Sequence, residues 1–187
     1  MLCFSELLIY FIEGLIAEDQ TDEALEYLAE VETSTEKLML EADLYQQINM
    51  LEVAIDKLQE ALEIEPNDPI IHFALAELLY FDGQYLRATT EYETVLETGE
   101  YQVNGVNLFS RMADCSLQSG NYTDSIGLFD EISEDEMNSE DYFKKAIAYE
   151  KNDLTQEAIK IMKTLLSKDP DFIQGYFYLQ SLYENEK

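Results

Sequence analysis

Apolar and polar positions follow one another along the chain in blocks of two helices, and the clearest block is Pro66–Leu96. From Ile70 to Phe81 the apolar residues recur with the spacing of a helix that is buried on one side. Gly83 ends this run, because glycine adopts the left-handed conformation of a helix cap at little steric cost. A second helical pattern follows from Tyr85 to Leu96. The block therefore predicts a helical hairpin.

The hairpin pattern repeats, and a small residue marks the same place in each second helix. These residues are Ala24, Ala54, Ala88, Ser125 and Ala158, separated by 30, 34, 37 and 33 positions. We expect Ala54, Ala88 and Ala158 to lie where the two helices of a hairpin nearly touch. A period near 34 residues that contains two helices is typical of tetratricopeptide repeats. The chain therefore resembles the tetratricopeptide repeat family over essentially its whole length, and it is similar to poorly characterised members from low-GC Gram-positive bacteria.

The resemblance implies an all-α fold, a tetratricopeptide-type α-solenoid of about five helical hairpins and a final single helix, wound as a right-handed superhelix. We expect one array over residues 1–187. Its approximate repeats are 5–34, 35–68, 69–105, 106–138 and 139–172, with a final helix over 173–184. The interval 99–105 is predicted as a long connection, and Thr33 with Glu36 as a capping box for the third helix.

The charge balance restricts the class of partner. The chain has 40 acidic and 11 basic residues, a formal charge of −29, while 47% of its residues are hydrophobic. A surface this acidic repels phosphate backbones and anionic headgroups, so we expect neither nucleic acid nor a membrane as partner. Cys3 and Cys115 lie far apart without metal-type spacing, and the apolar start lacks a basic secretory leader. These features favour a cytoplasmic protein.

No motif for catalysis is present: the chain has no phosphate-binding glycine loop, no zinc-protease helix and no nucleophile elbow. The single histidine, His72, falls on the packing face of the central hairpin and is interpreted as structural. Five acidic residues cluster between the fourth and fifth units without calcium-loop spacing, and the prediction is a solvated loop: Glu134, Asp135, Glu136, Glu140 and Asp141. We expect no enzyme activity, no metal and no cofactor.

A candidate binding surface follows from one repeat position on the first helices. By the resemblance, one side of these helices lines a concave peptide groove, and its ninth position carries carboxylates in four units before Ile147 interrupts the series. These residues are Glu13, Asp43, Glu77 and Asp114. Aromatic residues accompany them on the same predicted side: Phe73, Tyr80, Phe81 and Phe143. The alternative interpretation is that acidic residues are merely abundant, and that Phe73 and Phe143 pack between helices.

These features favour a non-enzymatic adaptor that binds a basic or basic-apolar peptide segment in an acidic groove. The lysine and asparagine groove that some family members use to hold a carboxylate tail is absent. An alternative is a self-association module, such as a homodimer through the apolar end helices, possibly as a fragment of a longer array. A metal-dependent hydrolase that uses the acidic loop is the third and least favoured hypothesis.

Overall fold

The computed structural model describes residues 4–18 and 20–185, which include eleven helices and a two-stranded β-ladder. Cys3 lies outside these residues. The helices are α1 (Phe4–Ala17), α2 (Thr21–Ala29), α3 (Thr35–Gln47), α4 (Leu51–Ile64), α5 (Pro69–Phe81), α6 (Tyr85–Leu96), α7 (Leu108–Gln118), α8 (Tyr122–Asp130), α9 (Ser139–Lys151), α10 (Thr155–Lys168) and α11 (Ile173–Asn185). The strands are β1 (Gln102–Val103) and β2 (Val106–Asn107). The predicted all-α array of hairpins is confirmed.

Two compact units divide the chain, residues 1–98 and residues 99–187. In the first unit, α1 packs on α2, α3 on α4 and α5 on α6, and α4 also packs on α5. In the second unit, α7 packs on α8 and α9 on α10, and α11 covers α10. The proposal of one array over residues 1–187 stays a prediction.

The small residues of the second helices are all fully buried, as expected for positions where two helices approach closely. Ala24, Ala54, Ala88 and Ala158 have no exposed surface. Ser125 is equally buried, and its hydroxyl donates to the main-chain oxygen of Ala113, 2.8 Å away on the facing helix. The buried serine is therefore tolerated at this position, because its hydroxyl group has a hydrogen-bond acceptor on the facing helix.

Each hairpin from α3 to α10 turns on one residue with a left-handed backbone. Gly83 and Gly120 have φ of 78° and 81°, while Asn49 and Asp153 have φ of 60°. In each turn, two main-chain amides donate to the exposed carbonyls of the last helical turn; after α5 the amide of Gln84 donates to Leu79 over 2.8 Å. This pairing is the Schellman motif, in which glycine or asparagine is favoured. The residues that end the first helices thus set the geometry of the turns.

The connection between α6 and α7 differs from the predicted loop. Val103 pairs with Val106 in an antiparallel ladder, and Asn104 and Gly105 between them both have positive φ, 51° and 78°. Two such residues form a type I′ turn, whose twist matches that of the paired strands. The Asn-Gly dipeptide was therefore a hairpin signal within the predicted loop.

The helix caps also refine the sequence interpretation. Ser34, not Thr33, caps α3, because its side chain accepts the amide of Lys37 over 3.2 Å. At the start of α9, Asn138 and Asp141 form a reciprocal capping box. Asp141 is therefore buried, and the predicted solvated loop is correct for Glu134, Asp135 and Glu136 but wrong for Asp141. Glu140 is exposed, but it lies in the first turn of α9 and not in a loop.

Candidate functional site

Two of the four predicted groove carboxylates are exposed in the first unit. Glu13 lies on α1 and Asp43 on α3, both accessible to solvent. Protein atoms nevertheless crowd Asp43, and this partial loss of water raises the pKa of its carboxyl above the ordinary value of 3.8. A negative charge at Asp43 is therefore held at some cost, which a nearby cation would relieve.

The third carboxylate, Glu77, is fixed by a neighbour in its own hairpin. The hydroxyl of Tyr92, a residue with no exposed surface, donates to Glu77 Oε1. Glu77 itself remains partly exposed on α5. The buried tyrosine therefore orients the carboxylate, so that Glu77 loses less conformational freedom on binding than a carboxylate on a mobile side chain.

Around Glu77, α5 presents apolar side chains to solvent. Ile70 and Phe81 are 59% and 57% exposed, and Ala74 is half-buried between them. These residues and Glu77 are spaced by three and four positions, so they form one stripe along the helix. Tyr80 flanks the stripe, with its ring centroid 5.6 Å from that of Phe81. The stripe thus combines two accessible apolar side chains with one oriented carboxylate.

The other two predicted aromatic residues belong to the core. Phe73 is 7% exposed, and its ring lies 6.4 Å from that of Tyr92. Phe143 is equally buried in the second unit, 5.5 Å from the ring of Phe172 and 5.2 Å from that of Tyr178. Both side chains therefore pack in the core, as in the alternative interpretation that Phe73 and Phe143 pack between helices.

Asp114 does not present the solvent-facing carboxylate that the repeat position suggested. It is 3% exposed, and its Oδ2 lies 2.5 Å from Nζ of Lys144 on α9. Gln118 donates to the other oxygen over 3.2 Å. The reason is a contact between repeats: Lys144, one repeat later in the chain, lies beside the ninth position of α7. Asp114 therefore joins α7 to α9, and its charge is compensated within the protein.

His72 has the structural role that its position suggested. Nδ1 lies 2.6 Å from Oε2 of Glu91 on α6, and Nε2 lies 3.0 Å from the main-chain oxygen of Pro66. The ring thus ties the start of α5 both to its hairpin partner and to the preceding turn.

Neither a metal cluster nor a membrane span emerges from the described residues. Across residues 4–18 and 20–185, no three side chains of metal-ligating type come together, and no helix is long and apolar enough to cross a bilayer. The thiol of Cys115 is buried and forms no disulfide.

The two units differ in charge. Residues 1–98 contain 23 acidic and 3 basic residues, a formal charge of −20, whereas residues 99–187 contain 17 acidic and 8 basic residues, a charge of −9. The first unit therefore provides the stronger negative field for a cationic partner. The lysines of the second unit offset part of its negative charge.

Known proteins match this chain in sequence. Residues 46–100 match the family model for YpiA-like tetratricopeptide repeats, and residues 142–171 match a tetratricopeptide repeat model. The TPR repeat-containing protein YpiA of Bacillus subtilis (strain 168) is 32% identical over 186 residues. These matches identify tetratricopeptide repeats in the chain. The match covers 97% of this chain and 44% of YpiA, so the array spans less than half the length of that relative.

Solved tetratricopeptide structures share the fold. YrrB, described as a TPR protein with an unusual peptide-binding site, superposes with a TM-score of 0.79 at 15% identity, over 92% of this chain and 90% of its own. A crystal structure of MamA gives a TM-score of 0.78 at 16% identity, over 89% and 92% of the two chains. Tetratricopeptide proteins are interaction scaffolds that bind proteins or peptides and are generally not enzymes.

Proposed function

We propose that the first unit, residues 1–98, binds a basic, partly apolar segment of a partner protein along its first helices. The observation that carries this proposal is the stripe on α5, where Ile70 and Phe81 are more than half exposed on either side of Glu77. Lysine or arginine on the segment would pair with the carboxylate, and its apolar side chains would cover the two hydrophobic residues. YrrB, with its unusual peptide-binding site, gives a precedent for peptide binding on this fold.

Asp43 and Glu13 extend the proposed surface to α3 and α1. Because its surroundings raise the pKa of Asp43, the ionised carboxyl gains more from a cationic partner than a fully hydrated one would. The ring of Tyr80 makes edge-to-face contacts with those of Phe81 and Tyr85, and these contacts restrict the position of Phe81. In this proposal Phe73, Phe143 and Asp114 support the scaffold and do not contact the peptide.

Charge reversal on the stripe tests the proposal. A peptide that alternates lysine and phenylalanine should bind to the chain, and Glu77→Lys should weaken binding, because a carboxylate contact becomes a repulsive one. Each exposed ion pair contributes only about 0.2–1 kcal/mol, so the affinity should be modest and should fall with added salt. If Glu77→Lys left both the affinity and its salt dependence unchanged, the stripe would not be the site.

A second candidate function is self-association through the end helices, and exposed apolar residues favour it. On α1, Leu7, Tyr10 and Phe11 are 54%, 65% and 49% exposed. On α11, Ile173 and Phe177 are 67% and 70% exposed. Apolar surface on this scale suits a second protein surface. Light scattering over a range of concentrations should show a dimer that Phe177→Glu disrupts, whereas a constant monomer mass would remove this candidate.

In either role we propose a protein without catalytic activity that works in the cytoplasm. The hydrogen bonds of His72 and the buried ion pair of Asp114 favour structural roles for two groups that would otherwise be candidates for catalysis.

A further inference from the structure

The outer face of α10 differs in charge from the rest of this acidic chain. Among the described lysines, six form ion pairs with carboxylates within 4.0 Å, and the two that form none are Lys160 and Lys163. Both are exposed and lie three residues apart on α10, so they share one face. In a chain with 40 acidic residues, two adjacent lysines without a carboxylate partner form an unusual surface.

A shallow cleft of about 570 Å³ runs along this face. Its floor is Ile159, and no acidic residue lines it. The lining residues are Gln156, Ile159, Lys160, Lys163, Thr164 and Ser167. Lys163 Nζ also lies 5.4 Å from the ring centroid of Tyr183 on α11, a distance at which the ring attracts the ammonium group. The cleft therefore offers two cations among neutral polar groups.

We infer that this cleft binds an acidic segment of a protein, with aspartate or glutamate side chains paired to Lys160 and Lys163. Charge complementarity favours this occupant, because no acidic residue lines the cleft and neither lysine forms an ion pair within 4.0 Å. Asp130, Glu134 and Glu157 line a neighbouring cleft that Lys160 also borders. Nucleic acid fits poorly, since its dense phosphates would meet a chain of net charge −29 and only two lysines. Phosphorylated peptides are more typically held by the planar fork of arginine, and no arginine lines the cleft.

The inference goes beyond the proposed function, because it assigns a partner of opposite charge to a separate surface in residues 99–187. Either site can fail in experiment without affecting the other. The acidic segment must approach a negatively charged chain, so the salt concentration matters. At about 0.1 M salt the Debye length is about 10 Å, which screens the distant carboxylates but preserves contacts inside the cleft.

The test is a titration of the full isotope-labelled chain with a hexaglutamate peptide in 0.1 M salt, followed by amide chemical shifts. We expect the shifts to concentrate in α10, and a hexalysine peptide to leave α10 unchanged. Lys160→Glu should weaken hexaglutamate binding at least about five-fold, since it replaces one favourable contact by a repulsive one. Lys160→Gln combined with Lys163→Gln should weaken it similarly without adding charge repulsion.

Lys151→Glu is the matched control, because it makes the same charge change at an exposed lysine on α9 that does not line the cleft. It should leave the affinity within about two-fold of the original. Amide spectra of each variant show whether it folds. If Lys160→Glu does not fold, the variant that combines Lys160→Gln with Lys163→Gln tests the inference instead. The inference would be overturned if hexaglutamate did not bind, or if it shifted amide signals outside α10 only. It would also be overturned if Lys151→Glu weakened binding as much as Lys160→Glu.

Discussion

The ion pair between Asp114 and Lys144 gives the sharpest test of how the second unit is held together. Asp114 has 4% of its side chain exposed and Lys144 has 23%, with 2.5 Å between Oδ2 and Nζ. Lys144→Met would remove the Lys144 ammonium from the buried Asp114 carboxylate, while Gln118 would still donate to one oxygen. Because a buried ion is far more expensive than a hydrated one, this single change should destabilise the unit strongly.

The expected loss in the free energy of unfolding lies between the values typical of exposed and of fully buried ion pairs. Exposed pairs contribute about 0–1 kcal/mol, and removal of one partner from a fully buried pair costs about 3–5 kcal/mol. Since Lys144 is partly open to water, we expect Lys144→Met to cost about 2–3 kcal/mol. Asp114→Leu should cost less, about 1–2 kcal/mol, because the ammonium that remains can turn toward solvent. The double variant should recover part of the sum, since neither charge is then left alone.

Urea unfolding followed by far-ultraviolet circular dichroism measures these costs, and amide hydrogen exchange locates them. Repeat arrays can unfold in parts, so exchange in α7 and α9 is the more direct readout. If Lys144→Met cost less than about 0.5 kcal/mol, or if the double variant lost the full sum of the single costs, the pair would not hold these helices together.

Three further predictions concern the scaffold. Ala88→Leu should cost about 1–3 kcal/mol in urea unfolding, because Ala88 is fully buried between the helices of its hairpin, and an unchanged midpoint would contradict the tight hairpin. Asn49→Gly should raise the free energy of unfolding by about 0.5 kcal/mol, and Gly83→Ala should lower it by about 1 kcal/mol, because both positions have positive φ. A loss of stability in Asn49→Gly with a gain in Gly83→Ala would contradict the turn assignment. Asp43→Asn should raise the melting temperature at pH 7. The folded-state pKa of Asp43 is raised, so ionisation above it costs stability, and the gain should shrink as the pH falls toward 3.8; a constant gain would show another cause.

The sequence predicted the helices well because their signals are local. Apolar spacing and turn residues predicted α6 at its observed bounds and α5 to within one residue, and the alanines expected where the helices of a hairpin nearly touch are fully buried. The Asn-Gly turn at Asn104 was also a local signal, but the prediction of a long connection passed over it.

The candidate site was harder to predict, because exposure depends on contacts between repeats. Position along a helix could not show that Lys144 lies beside Asp114, 30 residues away, or that Asp141 turns into a capping box. The same limitation hid the cleft on α10, since the sequence shows the spacing of Lys160 and Lys163 but not that no acidic residue lines the cleft between them. Repeat position therefore predicts which face of a helix a residue occupies. The contacts between repeats decide whether its side chain is accessible to a partner.

Binding of a lysine–phenylalanine peptide to two doubly reversed variants tests the central claim most directly. The first variant combines Asp43→Lys with Glu77→Lys on the proposed surface. The second combines Glu52→Lys with Glu63→Lys, two exposed positions on α4 with the same change in net charge. Fluorescence anisotropy should show at least about five-fold weaker binding for the first variant only. Equal weakening in both would mean that the peptide responds to net charge alone and that the first unit has no such site.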